Sequence, residues 1–131
     1  KADSNIAVGL SKGKIAVVDD SKISRKLLRT ILEDAGYAVI AEATDGEEGI
    51  AAYMQYKPDI LTLDITMPNM DGIEALREIM SVDKKAKVIM ISDAGQQQKI
   101  DEALAIGAKE FITKPFEPED IIASIERMLE K

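Results

Sequence analysis

From Lys14 onward, short segments rich in strand formers alternate with longer stretches in which apolar residues return every three or four positions. Ile15–Val18 and Val88–Ile91 are unbroken apolar runs, as strands covered on both faces require. Tyr37–Ala43, Asp59–Asp64 and the short Phe111–Ile112 read as three further strands. Between them, Ser21 is placed to cap a helix whose stripe is Ile23, Leu27, Leu28, Ile31 and Leu32, stopping at Gly36. Asp45 and Glu48 have the spacing of a capping box opening a helix over Glu47–Tyr56, and Lys57-Pro58 ends it. Asp71 and Glu74 repeat that pattern ahead of Ile73, Leu76, Ile79 and Met80. Gln96–Ile106 is expected to turn Ile100, Ala103 and Leu104 inward and to stop at Gly107. Pro118 suits the first turn of a last helix with the stripe Ile121, Ile122, Ile125, Met128 and Leu129.

Five strands alternating with five helices predict an α/β fold: a doubly wound, flavodoxin-like parallel sheet of order 2-1-3-4-5, with helices on both faces. Residues 1–13 show no periodicity and are punctuated by Gly9, Ser11 and Gly13. They are expected to be a flexible N-terminal segment or a tag, with residues 14–131 as one domain.

Composition narrows the chemistry. An apolar share of 46% and a charged share of 31% over 131 residues describe a globular chain with a sizeable core. No apolar run is long enough for a membrane span and no signal-peptide pattern opens the chain, so the expected compartment is the cytoplasm. The absence of cysteine excludes disulfides and thiolate chemistry, and the absence of histidine removes the commonest general base and transition-metal ligand. Any bound metal is then expected to be a hard, oxygen-loving cation. A net charge of −7 argues against a nucleic-acid partner.

The residues at the carboxyl ends of the predicted strands are the informative ones. The first strand ends on Asp19-Asp20, the third on Asp64, the fourth on Ser92 and the fifth on Lys114. In the order 2-1-3-4-5, with strands about 4.8 Å apart, these ends lie within side-chain reach of one another. Singly, Asp19 or Asp20 reads as a helix cap, Ser92 as a turn residue and Lys114 as a solvated lysine, while Asp45 and Asp71 read as caps. All of them on one sheet edge is what the separate readings do not explain. Clustered carboxylates repel, and Mg2+ resolves the conflict while leaving coordination sites for phosphate oxygens. A carboxylate trio with a hydroxyl and an ammonium is an arrangement for phosphoryl transfer, with Asp64 as nucleophile.

At this point Lys14–Lys131 resembles the receiver domain of bacterial two-component response regulators. The resemblance is carried by Asp19-Asp20, the segment Asp64-Ile-Thr-Met-Pro-Asn-Met-Asp-Gly72, Ser92 and Lys114-Pro115-Phe116, in that order and spacing. It implies a signalling switch that is not an enzyme in its own right and promotes its own phosphorylation and dephosphorylation. Asp64 would accept a phosphoryl group from a sensor histidine kinase. Asp20, Asp64 and the Thr66 backbone carbonyl would hold Mg2+ (with Mn2+ an acceptable substitute), Asp19 acting more through water. Ser92 and Lys114 would bind the phosphoryl oxygens, Phe111 would be the aromatic switch, and the Lys114-Pro115 bond would be cis. Ala94–Gln97 and Gly107–Phe116 are most similar to single-domain chemotaxis regulators of the CheY type. That implies a CheA-like kinase, a downstream protein target such as the flagellar motor switch, and a monomer signalling through Gln96–Ile106, Lys109–Thr113 and Pro118–Lys131. A receiver excised from a larger regulator, whether a transcription factor or an enzyme effector, would read the same.

Three features depart from the resemblance. Asp93 follows Ser92 where the family usually has a small residue, Phe111 lacks the hydroxyl of the commoner tyrosine, and neither Thr66 nor Ala94 supplies an amide or acid to position water. Three rivals remain. An aspartyl-phosphate phosphatase of the haloacid dehalogenase type would carry a second Asp where this chain has Thr66. A flavodoxin-like cofactor binder would not place Asp19-Asp20 where a phosphate must sit. A degenerate receiver would only bind partners.

Overall fold

The computed structural model describes residues 10–130, so residues 1–9 of the expected N-terminal segment lie outside the described residues. The elements run β1 (Lys14–Val18), α1 (Lys22–Asp34), β2 (Ala38–Ala43), α2 (Gly46–Tyr56), β3 (Ile60–Asp64), α3 (Gly72–Val82), β4 (Val88–Ser92), α4 (Gln97–Ile106), β5 (Glu110–Thr113) and α5 (Pro118–Leu129). The five strands form one sheet of order β2-β1-β3-β4-β5, and every pairing is parallel. This is the expected flavodoxin-like arrangement, with β3 at its centre.

Strand alternation sorts the apolar side chains onto two cores. Ile15, Val17, Ile60, Ile89 and Ile91 pack towards α1 and α5 with Leu28, Leu32, Ile121 and Ile125. Ala16, Val18, Leu61, Leu63, Val88 and Met90 pack towards α2, α3 and α4 with Leu76, Ile79 and Ile100. Both sheet faces are covered, which is why β3 and β4 are buried along their whole length. Full burial of each such aliphatic side chain contributes about 2 kcal/mol.

Two helical stripes are narrower than their periodicity suggests. In α1, Leu28, Ile31 and Leu32 are buried, but Ile23 is 82% exposed and Leu27 48% exposed. In α4, Ile100 and Ala103 are buried while Leu104 is 39% exposed. A period fixes a direction, and the curvature of the packed surface decides how wide a stripe it covers.

The caps also differ in detail. Ser21 Oγ accepts from the Ser24 N–H at 3.2 Å, as expected. Asp71 and Glu74 form the complete reciprocal box at the start of α3. At α2, Asp45 accepts from the Glu48 N–H at 2.8 Å, but the Glu48 carboxylate reaches past it to the Thr44 N–H and hydroxyl, so the box is half formed. Gln96 lies at the cap position of α4, one residue outside the helix it was expected to begin.

Candidate functional site

Each strand of the central pair delivers a carboxylate to the same edge of the sheet. β1 hands on to Asp19 through an Asp19 N–H bond to the Ala43 carbonyl at 3.0 Å, which continues the sheet by one residue. β3 ends on Asp64, in register with Ile91 of β4, and Ser92 at the end of β4 is in register with Thr113 of β5. The Lys114 N–H then bonds the Ser92 carbonyl at 2.7 Å, which fixes the root of the lysine beside β4. The Lys114-Pro115 bond is cis.

The side chains converge. Asp19, Asp20 and Asp64 each offer a carboxylate oxygen, and the three lie within 4.8 Å of one another. Lys114 Nζ is 3.2 Å from Asp19 Oδ2 and 3.6 Å from Asp64 Oδ2. Asp19 and Asp64 are buried, whereas Asp20 is exposed and forms the outer wall. Ser92 Oγ is fully buried and shares a 3.3 Å hydrogen bond with Thr113 Oγ1. Phe111 is 40% exposed.

Asp19 unites the two readings its position allowed. Its Oδ1 accepts from the Ser21 N–H at 2.8 Å, a local turn bond, while Oδ2 accepts from Lys114. Arg25 braces the same corner, donating from Nη1 to the Asp19 carbonyl at 2.8 Å and from Nε to Glu42 at 3.1 Å.

Electrostatics follow from three acids and one cation in a recess. Burial and then the Asp19 carboxylate push Asp64 up to about 7, with Asp20 and Asp93 adding to the effect and Lys114 opposing it. Burial pulls the Lys114 ammonium down, but Asp64, Asp19 and Asp93 outweigh it and its net shift is upward. Asp93 is exposed, yet its charge reaches both groups. All the donors facing one another are oxygens, and one lysine leaves the cluster with surplus negative charge. That donor set fits a hard divalent cation of the Mg2+ kind.

Sequence reasoning named the converging residues and carried Gly72 within the Asp64–Gly72 segment, and it missed the parts played by Arg25 and Gln96. Gly72 is required by packing: a Cβ there would stand 2.1 Å from the Asp64 carbonyl oxygen. Arg25 and Gln96 reach the site through contacts that span several residues or separate loops. Gln96 Oε1 accepts from the Asp93 N–H at 2.7 Å and its Nε2 donates to Thr66 Oγ1 at 2.8 Å. Only the glycine beside Asp71 carried a local signal.

The geometry can be set beside known proteins. The chemotaxis protein CheY of Thermotoga maritima is 45% identical over 115 residues, covering 88% of this chain and 96% of its own. CheY of Listeria monocytogenes is 46% identical over 114 residues, covering 87% of this chain and 96% of its own. The crystal structure of a CheX–CheY–BeF3–Mg2+ complex from Borrelia burgdorferi contains a chain with TM-score 0.87 and 39% identity, covering 100% of this chain and 96% of that one. The family model of the response regulator receiver domain matches residues 15–126, a span that holds every member of the Asp19, Asp20, Asp64, Ser92 and Lys114 cluster. The chain belongs to the response regulator receiver family, whose members serve two-component signalling.

Proposed function

We propose that Asp64 accepts a phosphoryl group from a phosphohistidine on a sensor kinase and that the chain signals through the resulting change of shape. The observation that carries the reading is the placement of Asp64 beside Lys114 at 3.6 Å and within a trio of carboxylates, at the end of the central strand. A carboxylate oxygen of Asp64 attacks phosphorus. The P–N bond breaks, and the imidazole nitrogen leaves with the electron pair. Lys114 neutralises a phosphoryl oxygen, and the Ser92 hydroxyl leaves Thr113 to donate to another.

Asp20, Asp64 and the Thr66 carbonyl would hold Mg2+, or Mn2+, with Asp19 acting through water. When bound, the cation neutralises the carboxylates and the incoming phosphoryl oxygens. The protein's own part is to position the nucleophile and to keep Lys114 charged.

Ser92 on β4 and Phe111 on β5 are two positions apart in register, through Met90↔Phe111 and Ser92↔Thr113, and so lie diagonally on one sheet face. Movement of Ser92 would free space for the Phe111 ring to turn inward and alter the α4-β5-α5 face. The similarity to CheY proteins supports a role in chemotaxis, with a CheA-like kinase upstream and the flagellar motor switch as target. We assign the chain to the cytoplasm as a monomer without nucleic-acid or membrane partners. No helix among the described residues is long and apolar enough to cross a membrane.

Intact mass after incubation with Mg2+ and a small phosphodonor tests the assignment. The expected result is the gain of one phosphoryl group, lost in Asp64→Asn and in excess chelator. A phosphate gained equally by Asp64→Asn would overturn it, and sustained turnover of a phosphoester would favour a phosphatase instead.

A further inference from the structure

The two loops flanking Asp64 are tied together by a single side chain. Thr66 lies two residues beyond Asp64 in the β3–α3 loop, and Asp93 directly follows Ser92 in the β4–α4 loop. Gln96 bridges them, accepting from the Asp93 N–H at 2.7 Å and donating to Thr66 Oγ1 at 2.8 Å. A backbone N–H only donates, so the bond to Asp93 fixes which way the amide faces and leaves its NH2 for Thr66.

The position is one where a side chain would ordinarily serve its own helix. Gln96 is the N-cap residue of α4 and makes no capping bond there. The first turn of α4 is therefore held from outside, through Gln96, to the β3–α3 loop. That loop is itself firmly seated: the Gly72 N–H bonds the Ile65 carbonyl at 2.8 Å, and the Ile65 N–H bonds the Ile91 carbonyl at 2.9 Å. By contrast, Asp93, Ala94 and Gly95 are exposed. The clasp joins a seated loop to a loose one.

We propose that Gln96 is a positioning residue that holds the β4–α4 loop, and with it Ser92, in the resting arrangement. The inference rests on the switch reading above. Drawing Ser92 towards a phosphoryl group on Asp64 carries the Asp93 N–H with it, and that N–H is bonded to a side chain anchored on Thr66. An interaction made only in the resting state lowers the apparent affinity for any ligand that selects the active one. Loss of two exposed hydrogen bonds then corresponds to a gain of about fivefold in that affinity.

The test uses beryllofluoride as phosphoryl mimic at saturating Mg2+, with switching read from backbone amide NMR. Gln96→Leu should tighten apparent binding about fivefold, and Thr66→Val, which keeps the backbone carbonyl, should act in the same direction. The double variant should be no tighter than the tighter single one, because both substitutions break one bridge. Amide exchange at Ala94 and Gly95 in the unliganded protein should rise severalfold in Gln96→Leu, a readout that needs no phosphoryl mimic. Unchanged or weaker binding in Gln96→Leu overturns the clasp, as do fully additive effects of the two substitutions. A wild-type protein that ignores beryllofluoride overturns the switch reading as well, which separates that failure from failure of the clasp alone.

Discussion

The β3–α3 loop and the β4–α4 loop leave neighbouring strands at the same sheet edge and are built in opposite ways. The first packs against the strand it has just left. Ile65 and Met67 are buried, Gly72 returns within bonding distance of Ile65, and a reciprocal box closes the start of α3. The second is exposed through Asp93, Ala94 and Gly95, and α4 begins without a cap of its own. The contrast marks where rigidity is needed. On the reading of Asp64 as phosphoryl acceptor proposed above, the nucleophile must be held still, because a misplaced Asp64 loses its approach to phosphorus. The groups that respond to its modification must be free to travel.

The largest effect is expected at Gly72. Its Cβ would overlap the Asp64 carbonyl oxygen at 2.1 Å, and neither partner is a flexible side chain. Gly72→Ala should cost roughly 4 kcal/mol in denaturant-induced unfolding, or shift Asp64 enough to abolish phosphorylation. A fully active, stable variant would show that the β3–α3 side is as yielding as its neighbour.

The next effect is electrostatic and belongs to the seated half. Without a divalent cation, burial and Asp19 hold Asp64 protonated up to about 7, against an ordinary value of 3.8. The unfolded chain releases that proton at the lower value, so between the two the native state binds more protons. Stability of the metal-free protein should fall as pH rises from about 4 to about 7, by on the order of 3 kcal/mol. Asp64→Asn should flatten that slope, and saturating Mg2+ should flatten it in the wild type. Urea midpoints across pH measure both.

Much of this contrast was legible in the residues, and the remainder has a physical reason for having been hidden. Unbroken runs such as Ile15–Val18 and Val88–Ile91 read as central strands because burial on both faces leaves no room for alternation. Once strand order followed, Asp19, Asp64, Ser92 and Lys114 fell at one edge; the structure brings the Asp19, Asp64 and Lys114 side chains together, while Ser92 Oγ bonds Thr113 on β5. Ile23 and Leu104 misled because periodicity fixes a direction and not the width of the stripe that is covered; they are 82% and 39% exposed. Gln96 was silent for a different reason. Its partner Thr66 lies 30 residues away, and a polar bridge between two loops leaves no periodic trace.

A smaller effect separates the two helix starts. At α3, Asp71 Oδ1 accepts from the Glu74 N–H at 2.9 Å while Glu74 returns the bond to the Asp71 N–H at 3.2 Å. Asp71→Ala should cost about 1 kcal/mol by urea unfolding, since an orphan donor of the first turn loses its partner. A cost near zero would remove one support for the claim that this side is fastened by its own residues.

The smallest effect is expected at Gly95, the counterpart of Gly72 on the loose side. Gly95 has a positive φ of 88° and nothing within 4 Å of where a Cβ would stand. Gly95→Ala therefore meets no atom and bears only the backbone strain of a left-handed conformation, partly offset by a less flexible unfolded chain. Left-handed strain of about 1–2 kcal/mol, less a gain of about 0.4–1 kcal/mol through the unfolded chain, leaves a net cost in urea unfolding of roughly 0.8 kcal/mol. The more telling readout is beryllofluoride binding, because an alanine that narrows the conformations of the β4–α4 loop should alter the switch more than the fold. If Gly95→Ala destabilised the protein as severely as Gly72→Ala, the β4–α4 loop would have to be packed in solution, and the division between a held nucleophile and free responders would fall.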